Sequence, residues 1–149
     1  MDLIAKRDHS EKELKQKLSR VKKWDNRKER LYTDEEIANV ITWARDNRWL
    51  QDSGYLSERW AEALTKKKKG IKYINAYLNQ KGLPAVSKNQ EVEVDKAVNL
   101  LRKKLQTKTF QKAVEETGKL DRHLKLKLTR FLISRGFDQE TISSAFKSL

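Results

Sequence analysis

Residues 71–83 read Ile-Lys-Tyr-Ile-Asn-Ala-Tyr-Leu-Asn-Gln-Lys-Gly-Leu, and residues 125–137 read Lys-Leu-Lys-Leu-Thr-Arg-Phe-Leu-Ile-Ser-Arg-Gly-Phe. Ile74, Leu78, Lys81, Gly82 and Leu83 of the first stretch have the same spacing as Leu128, Leu132, Arg135, Gly136 and Phe137 of the second. Apolar residues four apart share one face of a helix. A basic residue in the last turn meets the negative end of the helix dipole. A glycine directly after it takes the left-handed conformation without a Cβ clash. Each stretch therefore predicts an amphipathic helix closed by glycine, and Leu14 with Leu18 forms a weaker first copy.

Working outward, each copy is followed by a polar stretch and a second apolar stripe: Ile37/Val40/Ile41, Val94/Ala97/Val98 and Ile142/Ala145/Phe146. A helical module of about 45 to 60 residues used three times fits this spacing, each copy too small to be stable unless it packs on its neighbour. The expected boundaries are 1–49, 50–98 and 99–149. Five glycines and one proline in 149 residues leave few tight turns, and good helix formers abound. The predicted fold is all-α, with helices near 2–7, 10–24, 34–47, 53–68, 71–81, 91–106, 108–117, 121–135 and 138–148. Ser10 with Glu13 and Thr33 with Glu36 have capping-box spacing, and Asp52 and Asp138 suit N-caps.

Composition narrows the chemistry. Lys and Arg number 34 against 21 acids, a net charge of +13, which calls for an anionic partner. The absence of cysteine excludes disulfides, thiolate metal sites and a Cys nucleophile. No stretch approaches the roughly 18 apolar residues of a membrane span, and the first residues lack the apolar run of a signal peptide. The chain is expected to be soluble and cytoplasmic. His9 and His123 are far apart in sequence and lack metal-ligand spacing, and no phosphate-binding loop, dinucleotide fingerprint or serine elbow occurs. Asp34, Glu35 and Glu36 fit the first turn of a helix, where the dipole favours acids. No cofactor and no catalysis are expected.

The basic residues carry the positive reading. Lys66, Lys67, Lys68 and Lys69 form a run ending at Gly70, and residues 96–135 hold twelve Lys and Arg against three acids. The dipole at a helix end explains one or two of the four lysines. Attachment to phosphates or to an acidic protein surface, with salt-dependent affinity, explains the run. Lys72, Lys81, Arg102, Lys103, Lys104 and Arg135 extend the candidate surface. Arg122, Lys125, Lys127 and Arg130 share a helix with Leu124, Leu128, Phe131 and Leu132, so the basic set is expected to face outward. Trp43, Trp49 and Trp60 are expected to pack inside. Tyr73 and Tyr77, beside Lys69 and Lys72, fit either packing or base stacking, and Trp24 and Phe110 also lie among basic residues.

In order, Arg7-Asp8-His9-Ser10-Glu11-Lys12-Glu13-Leu14 with Lys17-Leu18, Trp49-Leu50-Gln51-Asp52 with Tyr55, and Lys69-Gly70-Ile71 with Ile74 and Leu78 lead to Asn79-Gln80-Lys81-Gly82-Leu83. Arg130-Phe131-Leu132, Ser134-Arg135-Gly136-Phe137 and Ile142 complete the series. The whole resembles the RecX family of bacterial recombinase regulators from about residue 4 to 147. It departs from the family in a leading helix that is short or absent, in Gln51 where an acid is common, and in a short segment from Pro84 to Val94. The resemblance implies a tandem array of three small three-helix modules, elongated and curved. It also implies a monomer that lies along the groove of a RecA filament on single-stranded DNA. Such a protein inhibits ATP hydrolysis, strand exchange and co-protease activity by blocking extension or promoting disassembly. A general nucleic-acid binder, for single-stranded or duplex DNA, is the alternative.

Overall fold

The structure, a computed structural model, describes residues 8–24, 27–111 and 122–149, with the backbone alone in 21–24 and 27–30. Its elements are α1 (Glu11–Leu18), β1 (Val21–Trp24), β2 (Arg27–Arg30), α2 (Asp34–Asp46), α3 (Ser53–Lys66), α4 (Ile71–Lys81), α5 (Gln90–Leu105), α6 (Arg122–Ser134) and α7 (Gln139–Lys147). Helical backbone also runs through 108–111. The fold is helical, and seven of the expected helices occur within one or two residues of their predicted starts. The helix expected at 2–7 and the rest of 108–117 lie outside the described residues.

One expected helix is cut short. The run predicted over 10–24 ends at Leu18, where the Ser19 hydroxyl donates back to the Lys15 carbonyl at 2.8 Å. An antiparallel hairpin follows, with Val21 opposite Arg30, Lys22 opposite Glu29 and Trp24 opposite Arg27. Val21 and Trp24, a β-branched and an aromatic residue, bracket β1, and both residue types favour strand over helix.

The chain divides into two compact units, Met1–Arg59 with Leu78–Ala85, and Trp60–Tyr77 with Val86–Leu149. In the first, Leu14 of α1 packs with Ile37 and Ile41 of α2, flanked by Leu18 and Leu50. Thr33 and Glu36 make both halves of the capping box. At the start of α1 the Ser10 hydroxyl accepts from the Glu13 amide and donates to the Lys81 carbonyl, while Lys81 Nζ reaches the Glu13 carboxylate at 2.9 Å. His9 is buried, its Nε2 at 2.5 Å from Lys17 Nζ.

The stripe expected on α2 is narrower than predicted. Ile37, Ile41 and Ala44 are buried, but Val40 is 46% exposed and Trp43 43% exposed. Trp49 is exposed to the same extent, and its ring lies 5.5 Å from that of Trp43. The expectation that both tryptophans sit inside is therefore corrected. At 100° per residue Trp43 lies about 120° round the helix from Ile37, beyond the reach of the face that meets α1.

The second unit has the larger core: Ala97, Val98 and Leu101 of α5, Phe110, Leu124, Leu128 and Leu132 of α6, then Phe137, Ile142 and Ala145. Truncating one of the wholly buried leucines to Ala costs about 2–5 kcal/mol. Trp60 is half-buried against Tyr77, with ring centroids 5.5 Å apart.

Four helix ends repeat one backbone pattern. Leu83 N bonds Leu78 O and Gly82 N bonds Asn79 O, and Phe137 N bonds Leu132 O with Gly136 N on Ile133 O. These are the paired bonds of the Schellman motif. Gly82 and Gly136 have φ of 70° and 89°. The ends of α2 and α3 do the same with Arg48 (φ 58°) and Lys68 (φ 56°) in the glycine's place.

Candidate nucleic-acid interface

The run Lys66–Lys69 is the C-terminal end of α3, not a straight continuation of the predicted helix to 68. Lys66 pairs with Glu62 at 2.7 Å, one helical turn back. Lys67 is exposed, Lys68 occupies the left-handed position, and the Lys69 ammonium lies 4.1 Å above the Tyr73 ring. The dipole of α3 and the turn together fan these four cations around its end.

Gly70 then brings this turn against the turn between α6 and α7. Its amide donates to the Arg135 carbonyl at 2.9 Å, and the Lys72 amide donates to the Gly136 carbonyl at 3.0 Å. A Cβ on Gly70 would stand 2.4 Å from Gly136 O, and one on Gly136 would stand 2.4 Å from the Tyr73 Cβ. Both glycines are needed for the approach, which sets Lys69 and Lys72 beside Arg135 although more than sixty residues separate them in sequence. The Arg135 guanidinium in turn lies over Phe131 at 5.4 Å, and Lys104 Nζ lies over the same ring at 5.4 Å. Cations held over rings keep their charge while their approach is fixed.

The other candidates distribute as follows. Arg102 and Lys103 are exposed in the last turn of α5. Arg122, Lys125, Lys127 and Arg130 are all exposed on α6. They do not form one clean basic strip, because Leu126 and Ile133, 46% and 54% exposed, share the outer face. Lys81 belongs to the first unit and is tied to Glu13. Tyr73 is exposed at the basic turn, whereas Tyr77 packs on Trp60 and Phe110 is buried. The side chain of Trp24 lies outside the described residues. Among the described residues no group of His, Cys, Asp or Glu could hold a metal ion, and no helix is long and apolar enough to cross a membrane.

Sequence reasoning missed Glu93 and Lys96. Both are buried on α5 and pair with each other, and they reach the basic turn from below. Lys96 Nζ donates to the Lys69 carbonyl at 2.9 Å, and the Ile71 amide donates to Glu93 Oε2 at 2.9 Å. The signal that could have found them was phase: Glu93 stands four residues before Ala97 and eight before Leu101, on the buried face itself.

No family model matches the chain. It is 32% identical over 152 aligned positions to the regulatory protein RecX of Cronobacter sakazakii, covering 99% of this chain and 88% of that one. The chain belongs to the RecX family. The regulatory protein RecX of Shigella boydii serotype 4 is 28% identical, with 98% and 86% covered. The crystal structure of RecX from Lactobacillus salivarius has a TM-score of 0.73 over 99% of this chain and 90% of that one, at 19% identity. That likeness establishes a shared fold. The basic junction around Gly70 and Gly136 thus belongs to a member of a family of regulatory proteins.

Proposed function

We propose that this protein binds a RecA filament on single-stranded DNA and represses the recombinase by occupancy, without catalysing a reaction. It acts as a monomer in the cytoplasm, and three modules, 1–49, 50–98 and 99–149, bridge neighbouring subunits along the filament groove. Bound there, it inhibits ATP hydrolysis, strand exchange and co-protease activity by blocking extension or promoting disassembly. The observation that carries the reading is likeness to regulatory RecX proteins over nearly the whole chain. The +13 charge supports it, because a nucleoprotein filament presents a dense array of phosphates.

The deciding experiment is a RecA ATPase time course on preformed filaments, with this protein added after steady state and single-stranded DNA in excess. A progressive loss of rate from substoichiometric protein is expected. Full activity, beside ordinary binding to naked DNA, would instead make it a general nucleic-acid binder. Its exposed lysines and arginines on α5 and α6 suit that second reading as well.

A further inference from the structure

We propose that the buried Glu93–Lys96 pair is the positioning element of the basic junction, and that the junction it builds around Gly70 and Gly136 receives the phosphate backbone of single-stranded DNA.

Glu93 and Lys96 are 3% and 4% exposed. A buried ion pair is a poor source of stability, since desolvating both charges offsets most of their attraction, and an apolar pair of similar volume often does as well. Their specific bonds give a better account. Lys96 donates to the Lys69 carbonyl in the turn that follows α3, and Glu93 places its negative charge at the amide end of α4, on Ile71 N, where the helix dipole favours it. The two bonds bracket Gly70, whose own amide is held by Arg135 O on the other side. The turn is thus pinned from α5 and from the α6–α7 turn together, with its backbone polar groups satisfied.

The consequence is that the backbone carrying Lys67, Lys69 and Lys72 is held against the turn that carries Arg135, with Lys104 on the same ring as Arg135. Tyr73 and Phe131 lie among them and carry Lys69, Lys104 and Arg135 on their faces. Phe131 packs against the core, whereas Tyr73 is 37% exposed among the cations and suits an unpaired base beside bound phosphates. An acidic protein surface would use the charges alone. This inference rests on the proposed function only in placing DNA on the basic surface.

The test uses the full-length chain and a fluorescent single-stranded thymidine oligonucleotide, with anisotropy titrations across a salt series. Lys67→Ala with Lys72→Ala is expected to make the negative slope of log affinity against log salt shallower by about 0.7 for each phosphate no longer neutralised. Glu93→Gln with Lys96→Met leaves the net charge and every surface cation unchanged, yet is expected to make the slope comparably shallower. A merely structural role would leave the slope alone in folded protein. A folded double variant with the original slope overturns the positioning role. Hydrogen exchange on the unaltered chain covers the case in which that variant fails to fold: oligonucleotide should protect 66–73 and 133–137, and unchanged exchange there at saturation overturns the proposal. Equal displacement of the oligonucleotide by poly-glutamate at matched charge assigns the junction to acidic protein instead and overturns the DNA assignment. Unimpaired RecA ATPase with all these binding results intact would remove the proposed function and leave this inference standing.

Discussion

The amide of Gly70 donates to the carbonyl of Arg135 at 2.9 Å, joining the end of the Lys66–Lys69 run to the end of α6. A Cβ at Gly70 would meet Gly136 O, Gly136 C and Phe137 N at 2.4 to 2.6 Å, all of them backbone atoms that cannot swing aside. Gly70→Ala should destabilise the protein by about 1–3 kcal/mol, as forced overpacking does. Urea unfolding measures it, and an unchanged midpoint would show that the two turns separate without loss.

The four left-handed helix ends should respond differently to substitution. Both glycines have positive φ, but a Cβ on Gly136 stands 2.5 Å from the Tyr73 amide, whereas the three atoms nearest a Cβ on Gly82 all belong to the Lys12 side chain. Gly136→Ala is therefore expected to lower the melting temperature well beyond Gly82→Ala. Conversely, Lys68→Gly relieves an L-residue at φ 56° and should stabilise by about 0.5–1 kcal/mol. Equal melting temperatures for Lys68→Gly and the unaltered chain would contradict this account.

Asp138 sets an acid limit on the second unit. Burial opposes its ionisation, but the Lys88 ammonium and the amide and hydroxyl of Thr141 outweigh burial and hold its carboxyl down to about 2. Lys88 Nζ lies 2.7 Å from Asp138 Oδ2. Because the folded value lies below the ordinary 3.8, this contribution is whole above about pH 4 and lost as pH falls toward 2. Asp138→Asn, which keeps the N-cap, should cost about 2 kcal/mol at pH 7. The two proteins should converge in stability near pH 2, and a gap that persists there would point to packing instead of charge.

Replacing Lys66, Lys67, Lys68 and Lys69 by Ala should weaken filament inhibition by about an order of magnitude, because fewer phosphates are neutralised. Lys66 and Lys67 are exposed and Lys68 and Lys69 half-buried, and none contributes to the apolar core, so the fold should survive with a loss of about 1–2 kcal/mol in all. The inhibitory midpoint in the RecA ATPase assay and the thermal melt, taken on the same preparation, separate the two effects. An unaltered midpoint in folded protein would move the binding site elsewhere.

Much of the architecture was legible in local pattern. Thr33 with Glu36, and Asp52 and Asp138 as caps, mark helix starts because a side chain two or three residues from its amide needs no distant partner. Gly82 and Gly136 mark helix ends for the same reason. The hairpin at 21–30 was not legible as a strand pair, since its Lys and Arg are equally at home in a helix and the decision rests on pairing between two short stretches. The exposure of Val40 and Trp43 was hidden too, because periodicity gives the direction of a stripe and the neighbouring helix sets its width.

By itself the sequence determined the helical class, the repeated glycine-closed helix, the excess of positive charge and the likeness to RecX. All of these follow from residue type at short spacing, where backbone geometry is nearly independent of context. Only the tertiary structure decided that Gly70 bonds Arg135 and Lys72 bonds Gly136, that Lys104 and Arg135 share the Phe131 ring, and that Glu93 and Lys96 lie buried beneath the turn. Those relationships join helices that are remote from one another in sequence. They depend on two glycines leaving room for one backbone against another, and on a buried charge pair bonding the turn on either side of Gly70.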